Sequence, residues 1–450
     1  MHKMSNIFSR KYEYAEATLT PIDGSPISIV SNILEFTYTE SIFTPFVCGN
    51  IVFQDSDENI IGTLPIQGGE KVYIKIKDPN DEIVEYNFIL WAVKNRTTKD
   101  RVQFYNMKLI SEEAVKNESV KIGRQLKGNM SSIASSILTN DLQTEKDVFA
   151  EASKFNINII PGRQSPFAIL NRIAAKGVSG KVNPSSGGSR SGGSEGAQQI
   201  KGTAGYFFYE NNRGFYFESI DKTCSSGSPY GGRSIRGNYY YDPNSSDKGS
   251  TILSFDFDNE IDIMKKLRLG AYSSIVCYYN MSTGKYEEYV WKLTDTFQNM
   301  ARLGTQEKLG KYQEQASEKP TRVMSMVLDH ETWYNGEDAT EDGENTEYPD
   351  FVKYYLSQSI GRLSILASQK MFLALPGDST LVVGDKINVY LPNTVPGEDR
   401  KKKPWDEENS GTYLISKVEH TYSSENAQHI SKLEVIRDSL GIPSGSSNVK

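Results

Sequence analysis

The sequence predicts a β-rich α+β fold in which one small β domain occurs twice. Three observations predict this fold class: a strand pattern near the start returns near the end, helical spacing lies between the two copies, and the composition is aromatic-rich. Hydrophobic residues make up only 37% of the chain and aromatic residues 11%, which suits a β-rich protein with large interfaces. A length of 450 residues exceeds one ordinary core, so we expect two to four domains.

The repeated pattern is a glycine, an acid and a lysine followed by an alternating strand. It reads GEKVYIKI at residues 69–76 and GDKINVYL at residues 384–391. Two further strand-like runs follow each pattern, at residues 88–94 and 102–109, and at residues 413–419 and 429–435. Glycine turns the chain and polar residues suit turns, so the short motif is common by itself. The shared order of three strands indicates a duplication; the alternative is a coincidence of common turn motifs.

A chain with two copies of one β domain is suited to symmetric rings, because three chains would present six similar surfaces. The repeated strands are then the candidates for contacts within a ring. The alternative is that they are ordinary strands inside each domain. The candidate ring-interface residues are Val72, Tyr73, Ile74, Ile76, Ile387, Val389 and Leu391.

Residues 1–112 are predicted to form the first β domain. Short alternating runs rich in β-branched and aromatic residues fill residues 15–112, and turn residues such as the DPND run at 78–81 separate them. This pattern is typical of a small barrel or sandwich.

Residues 113–222 are predicted to form an α+β domain. The order of its elements is two helical runs, a Ser/Gly-rich loop and an aromatic hairpin, at residues 131–138, 165–174, 185–196 and 206–217. Ser165 is placed to cap the second helix, and Pro166 suits its first turn. The Ser/Gly tract has too little apolar surface to order itself, which predicts a flexible surface loop.

The remaining chain is predicted to hold a second mixed region and the second β domain. Residues 223–355 contain a hairpin with arms at 273–279 and 285–291, and an acidic stretch at 331–350 that is read as a solvated loop. This region is expected to interleave with the last domain. A helix at 351–367 leads into the second β domain at 356–440, and residues 441–450 are predicted to be a flexible tail.

Catalytic motifs are absent from the sequence. It contains no HExxH, G-x-S-x-G, Walker or dinucleotide-binding motif, and the acidic stretch does not fit calcium-loop spacing. We therefore expect no enzymatic activity, no cofactor and no metal, although carboxylate pairs alone leave a glycosidase open. His420 and His429 flank the last turn and are predicted to be surface or interface residues.

The charge and the cysteine content limit which partners the chain is expected to bind and in which cellular compartment it is expected to be made. The formal net charge of −7 argues against a dedicated nucleic-acid binder. A basic run at residues 400–403 is read as a solvated loop, with a phosphate-binding patch as the alternative. Three scattered cysteines support neither a zinc site nor a disulfide framework, and no signal peptide or membrane-length apolar run occurs. Synthesis in a cytoplasm and no membrane insertion are expected.

Several segments, taken in order, resemble the central hub subunit of the baseplate of contractile-tail phages, a family related to the N-terminal part of type VI secretion spikes. They are LALPGDSTLVVGDKI at 373–387, SGTYLISKVEHTY at 410–422, LEVIRDS at 433–439, SPF at 165–167, the aromatic hairpin at 206–217, FDFDNE at 255–260 and GAYS at 270–273. The resemblance covers most of residues 15–440. The Ser/Gly tract and the acidic stretch depart from it.

The resemblance implies a β-rich α+β fold with two similar antiparallel β-barrel domains, called tube domains, flanking and joined by smaller α+β domains. It implies a homotrimer whose six tube domains form a ring between the trimeric central spike protein and the six-fold tail tube. The tail tube protein or a tube initiator, the tape measure protein and the baseplate wedge are the other expected partners. The expected location is the virion baseplate, assembled in the host cytoplasm.

Two alternatives remain at this stage: a hub or spike component of a type VI secretion or related contractile injection system, and a baseplate-associated cell-wall hydrolase. Type VI spikes continue into a β-helical needle, and no repetitive β-helix pattern occurs here, so a separate spike chain is expected. Sequence-specific nucleic-acid binding is not expected. The negative net charge favours a central channel for DNA that is not lined by basic side chains.

Overall fold

The computed structural model describes most of the chain. The described residues are 10–56, 66–78, 82–99, 102–179, 204–226, 230–242, 249–258, 262–281, 284–297, 300–304, 309–328, 332–335, 351–393 and 405–438. The Ser/Gly tract, the basic run at 400–403, the predicted tail and most of the acidic stretch lie outside them.

The fold is built mainly from β-strands. The strands are β1 Arg10–Lys11, β2 Glu13–Thr20, β3 Ile27–Ser28, β4 Ile33–Ser41, β5 Cys48–Asp55, β6 Lys71–Lys77, β7 Ile83–Lys99, β8 Val102–Ile110, β9 Leu126–Asn129, β10 Val148–Ala150, β11 Phe155–Ile159, β12 Tyr206–Asn211, β13 Gly214–Ser219, β14 Ile235–Tyr240, β15 Ser254–Phe257, β16 Ser273–Asn280, β17 Lys285–Lys292, β18 Arg322–Leu328, β19 Thr332–Asn335, β20 Gln369–Pro376, β21 Lys386–Tyr390, β22 Gly411–Ser423 and β23 Gln428–Arg437.

Helices are short and lie mainly between the two ends of the chain. They are α1 Glu112–Ser119, α2 Met130–Ser136, α3 Pro166–Lys176, α4 Ile220–Cys224, α5 Ile263–Leu269, α6 Leu293–Thr296, α7 Lys311–Ser317 and α8 Phe351–Leu366. Within the residues that the structure describes, none is long and apolar enough to cross a membrane.

One 14-stranded sheet contains both predicted β domains. Its path runs β15-β20-β23-β22-β4-β5-β8-β7-β6-β2-β3, with β1, β14 and β21 paired beside it. The β-rich class is confirmed. The described strands of this sheet form an open path and no closed barrel, so the two-barrel arrangement remains a prediction.

The two β copies have the same strand order, as the predicted duplication requires. The first copy, β4 to β8, is ordered β4-β5-β8-β7-β6; the second copy, β15 with β20 to β23, is ordered β15-β20-β23-β22-β21. In both copies the repeated glycine donates its N–H to the second strand of the meander: Gly69 to Leu90 at 2.7 Å, and Gly384 to Ile415 at 3.0 Å. Both glycines have positive φ, which a residue with a side chain rarely adopts.

Each copy has its own hydrophobic core, because its strands alternate buried and exposed residues. The first core contains Phe36, Ile51, Ile74 and Met107 among its buried members. The second is built around β20 to β23 and also takes in Tyr209 of β12. Burial on one face of each strand is the expected result of period-two alternation in an antiparallel sheet.

The aromatic hairpin β12–β13 connects the layers of the molecule. Every residue of both strands is buried, so it does not show the alternation of a surface hairpin. Phe208 and Phe215 pack into the core of the middle domain, whereas Phe207 and Tyr216 pack into the second copy's core. The hairpin is therefore an internal wall shared by two cores.

The predicted helix at 165–174 is confirmed as α3. Pro166 occupies its first turn, as expected, but the Ser165 side chain makes no capping hydrogen bond. The Phe167 N–H instead donates to Asn117 Oδ1 at 2.8 Å. The side chain of Asn117, which is distant in sequence, therefore accepts a hydrogen bond from the first turn of the helix. The local sequence predicts that Ser165 has this role.

Candidate functional site

The junction between the two copies is the central feature of the large sheet. The distal half of β22 pairs antiparallel with β4, from Lys417 opposite Ser41 to Ser423 opposite Glu35. Tyr422 on this segment is fully buried in the first copy's core and stacks on Phe36, with ring centroids 5.8 Å apart. The second copy therefore completes the first, and the two form one continuous β surface.

A buried carboxylate ties this junction to the aromatic hairpin. Glu40 of β4 is 1% exposed and accepts hydrogen bonds from the Tyr38 hydroxyl at 2.6 Å, the Asn212 N–H at 2.7 Å and the Val383 N–H at 2.9 Å. Burial raises the pKa of Glu40 to about 7, although these donors oppose the shift. One side chain thus links the first copy, the hairpin turn and the second copy.

Two histidines are buried inside the chain beside the same junction, so the prediction that they are surface or interface residues is wrong. His420 and His429 are 1% and 2% exposed, and their facing ring nitrogens are 3.2 Å apart. His420 Nε2 lies 3.0 Å from the Leu381 carbonyl, which can only accept, so this nitrogen carries the proton. Burial lowers the pKa of His420 to about 4 and keeps it neutral.

The acid of the second repeated motif anchors a charge cluster. Asp385 is buried and accepts hydrogen bonds from Arg213 at 2.8 Å and Arg233 at 3.2 Å. Its neighbour Lys386 is also buried and donates to the Ser225 carbonyl, and burial lowers the pKa of this lysine to about 8. In the first copy, Glu70 instead accepts the Gln67 N–H at 2.7 Å within its own turn. The two motifs therefore share a backbone geometry but not a side-chain role.

A cavity of about 300 Å³ lies between the first copy and the aromatic hairpin. Lys146 on its wall contacts Glu113 at 2.7 Å and Glu210 at 2.5 Å, and these carboxylates raise its pKa against the opposing effect of burial. Lys146 and Glu210 of this wall are thus paired with each other.

Four of the seven candidate ring-interface residues lie on β6, Ile387 and Val389 lie within β21, and Leu391 directly follows β21. All except Tyr73 are buried inside the chain. β6 is paired on both sides, by β2 and β7, and β21 by β14 and β22. Their side chains thus pack within the subunit, and a ring contact through them stays a prediction.

Among the described residues, no group of three or more His, Cys, Asp or Glu side chains could hold a metal ion. Cys48, Cys224 and Cys277 are free thiols, and burial raises the pKa of Cys224 to about 12.

Sequence reasoning missed the buried polar groups, although one pattern pointed to them. His420 lies between Val418 and Tyr422 in the alternation of β22, and all three share the buried face. Glu40 similarly follows Phe36 and Tyr38 in the buried phase of β4. In each strand every second residue faces the core, whether it is polar or apolar. Extending this alternation from the apolar neighbours places Glu40 and His420 on the buried face.

Comparison with solved structures identifies proteins of the same fold. The tail protein from Neisseria meningitidis MC58 is 9% identical, with a TM-score of 0.51 over 95% of this chain and 97% of that chain. The 43 kDa tail protein of prophage MuSo2 from Shewanella oneidensis is 11% identical, with a TM-score of 0.51 over 95% of this chain and all of that chain. A weaker likeness, below the level that indicates a shared fold, is found to the E. coli c3393 protein, a component of the type VI secretion system, which is 10% identical with a TM-score of 0.40 over 92% of this chain and 76% of that chain.

The chain therefore shares its fold with two tail proteins, one of them from a prophage, and the resemblance found in the sequence is confirmed at the level of the fold. No family model and no curated protein matches the sequence. At about a tenth identity the likeness extends along almost the whole chain, so the shared fold is not confined to one part of it.

Proposed function

We propose that this chain is the structural hub of a contractile phage tail baseplate. Three copies form a ring that joins the trimeric central spike to the six-fold tail tube and helps to initiate the tube. The observation that carries the proposal is the internal duplication, because two equivalent β copies in each of three chains supply six equivalent positions. The likeness to phage tail proteins supports the same assignment.

The mass of the assembled particle tests the ring. Light scattering coupled to size-exclusion chromatography is expected to give three times the chain mass of 50.4 kDa for the protein alone, and three chains plus the bound spike when the spike protein of the same phage is added. A monomer that stays monomeric in the presence of the spike would contradict the proposal.

We further propose that the hub acts without catalysis. The motifs of hydrolases are absent from its sequence, and the acids Glu40, Glu113 and Glu210 are engaged in structural contacts. Zymography on peptidoglycan with the purified protein tests this, with a phage lysozyme as the positive control. A clearing band at the mass of this chain would assign it to the cell-wall hydrolases instead.

The ring is proposed to enclose a channel for DNA that is not lined by basic side chains. The net charge of −7 supports this, since a basic bore would retain the polyanion. An electron cryomicroscopy map of the assembled ring tests it, and a bore lined by Lys and Arg would contradict the proposal.

A further inference from the structure

The strands of the two copies can be matched residue by residue. A contact made by one copy can therefore be compared with the equivalent position in the other copy. Leu90 and Ile415 occupy the same position, because each exchanges backbone hydrogen bonds with the repeated glycine-acid pair. Immediately after them both hairpins contain a bulge, after which Val93 faces Met107 and Val418 faces Leu433. The correspondence therefore holds through the bulge and into the distal half of each strand.

The first strands of the two copies correspond in the same way. Phe36 and Phe255 hold equivalent positions on β4 and β15, because their partners on the neighbouring strands β5 and β20 are equivalent residues. Tyr38 and Phe257 are equivalent for the same reason. Both copies thus carry an aromatic residue at these two positions. In the first copy they are buried at the junction, whereas in the second Phe257 remains 39% exposed.

Inside the chain, the distal half of β22 is paired with β4. In the other copy, the distal half of β22 corresponds to the distal half of β7, residues 92–99, and β4 corresponds to β15. Among the described residues, β7 pairs over this part only with β8, and β15 pairs only with β20. Among these residues, the distal half of β7 and β15 thus each have one unpaired edge, whereas the corresponding edges of β22 and β4 are paired with each other.

Exposure distinguishes the open edge from the paired one. Residues 94–99 are all exposed, whereas Val418, His420 and Tyr422 of β22 are buried. Trp91 is 51% exposed, although its equivalent Ser416 is fully buried at the junction and accepts the Ile42 N–H at 2.9 Å. A large apolar side chain beside an unpaired strand edge is typical of a surface that a partner covers.

The two open edges carry opposite charges. Lys94, Arg96 and Lys99 project from β7, while Asp256 and Asp258 lie on and just after β15. Like edges repel and unlike edges attract, so two β7 edges or two β15 edges are disfavoured as pairs. The only complementary match is the β7 edge of one chain with the β15 edge of another, which is a heterologous contact that repeats around a ring.

We propose that β7 of one copy of this chain pairs antiparallel with β15 of a second copy, reproducing between chains the β22–β4 junction found within each chain. The register follows from the correspondence: Lys94 lies opposite Asp258, Thr97 opposite Asp256 and Thr98 opposite Phe255. The single extra residue of β7, near Asn95 with φ of 55°, forms a bulge that brings Arg96 beside Asp256. This inference rests on the proposed ring and names the strands that close it.

Charge reversal tests the contact directly. We expect the triple variant Lys94→Glu, Arg96→Glu and Lys99→Glu to associate about tenfold more weakly, because a few exposed attractions become repulsions. The double variant Asp256→Lys and Asp258→Lys is expected to weaken association similarly. All five substitutions together restore it, since each edge again meets its opposite. Association is measured by mass photometry over a dilution series, with circular dichroism to confirm folding.

The control reverses three exposed lysines elsewhere, Lys121→Glu, Lys311→Glu and Lys319→Glu, and is expected to leave association unchanged. If the wild type is a trimer and the edge variants match this control, the strand assignment is wrong while the proposed function stands. If the wild type is a monomer with and without the spike, the proposed function itself fails.

A covalent version removes the dependence on charge. Opposite residues of an antiparallel pair have Cβ atoms close enough for a disulfide when both are cysteine. The variant Thr98→Cys with Phe255→Cys is therefore expected to give dimer and trimer bands on a non-reducing gel after mild oxidation. Each single variant controls for the native thiols Cys48 and Cys277. A trimer in solution that yields no linked bands would overturn the register.

Discussion

Arg362 is a buried cation that lies between two buried carboxylates. It is 1% exposed, contacts Asp438 at 3.2 Å and Asp221 at 3.7 Å, and donates to the Ala301 carbonyl. Because both carboxylates are buried with it, removing the guanidinium leaves unpaired charge in the interior.

We predict that Arg362→Ala lowers the free energy of unfolding by about 3–5 kcal/mol. The matched control is Lys432→Ala, which removes a surface pair with Glu419 at 2.9 Å and is expected to cost about 0–1 kcal/mol. Urea denaturation followed by tryptophan fluorescence measures both. Equal effects from the two variants would show that the buried pair adds nothing beyond a surface pair.

His420 makes stability depend on pH. Its pKa is about 4 in the folded protein against 6.5 for an exposed histidine, so the unfolded chain binds more protons between these values. Stability from this group is present above pH 6.5 and is lost as the pH falls toward 4, by about 3 kcal/mol. Glu40 acts in the opposite direction, since its raised pKa makes stability fall as the pH rises toward 7.

The substitution His420→Gln is therefore expected to flatten the acid side of the stability profile between pH 6.5 and 4. Urea midpoints measured across this range test the prediction, and Glu35→Gln, a half-buried acid on β4, serves as the control. A variant whose midpoint declines as steeply as that of the wild type would assign the acid sensitivity to other groups.

At the scale of elements, the duplicated turn serves the two copies differently. Gly69 and Gly384 have φ of 102° and 81°, and both donate to the equivalent strand residue. A Cβ at Gly69 would meet only Ile22 Cδ1 at 3.7 Å, whereas a Cβ at Gly384 would lie 2.2 Å from the Tyr209 hydroxyl. The second turn is packed against the aromatic hairpin and the first is open to solvent.

We predict that Gly69→Ala costs roughly 1–2 kcal/mol from backbone strain alone. Gly384→Ala is expected to cost about 1–3 kcal/mol more, because the added methyl group collides with the buried Tyr209. Thermal unfolding of the two variants compares the same substitution at equivalent positions. Equal losses would mean that the second turn and the hairpin are less tightly packed than the structure describes.

The whole molecule is expected to behave as one cooperative unit around its junction. β4 and β22 belong to different copies but share a ladder, and β1 at the start of the chain pairs with β23 near its end. Tyr86 of the first copy and Tyr422 of the second also place their hydroxyls 3.0 Å apart in the interior.

Native-state hydrogen exchange is therefore expected to give β4 and β22 the same opening free energy. Amides on the outer edge of β7 should exchange faster in the monomer and become protected in the ring. Independent opening of β22 before β4 would show that the two copies are separate cooperative units.

Local sequence patterns predicted much of the fold. The succession of repeated strands along both copies, α3, α8 and the hairpins β12–β13 and β16–β17 follow from alternation, turn residues and helical spacing, which act over a few neighbouring residues. The duplication was also visible, because equivalent strands need equivalent turns.

Only the tertiary structure decided how these elements meet. The continuous sheet through β22 and β4, the burial of Glu40, His420 and His429, and the contact of Asp385 with Arg213 and Arg233 join residues far apart in sequence. Alternation assigns a face to each residue, but it does not say which strand lies beside an edge. The sequence by itself therefore determined the two β copies, and the tertiary structure determined that one edge of each is paired within the chain, while the other is open as far as the described residues extend.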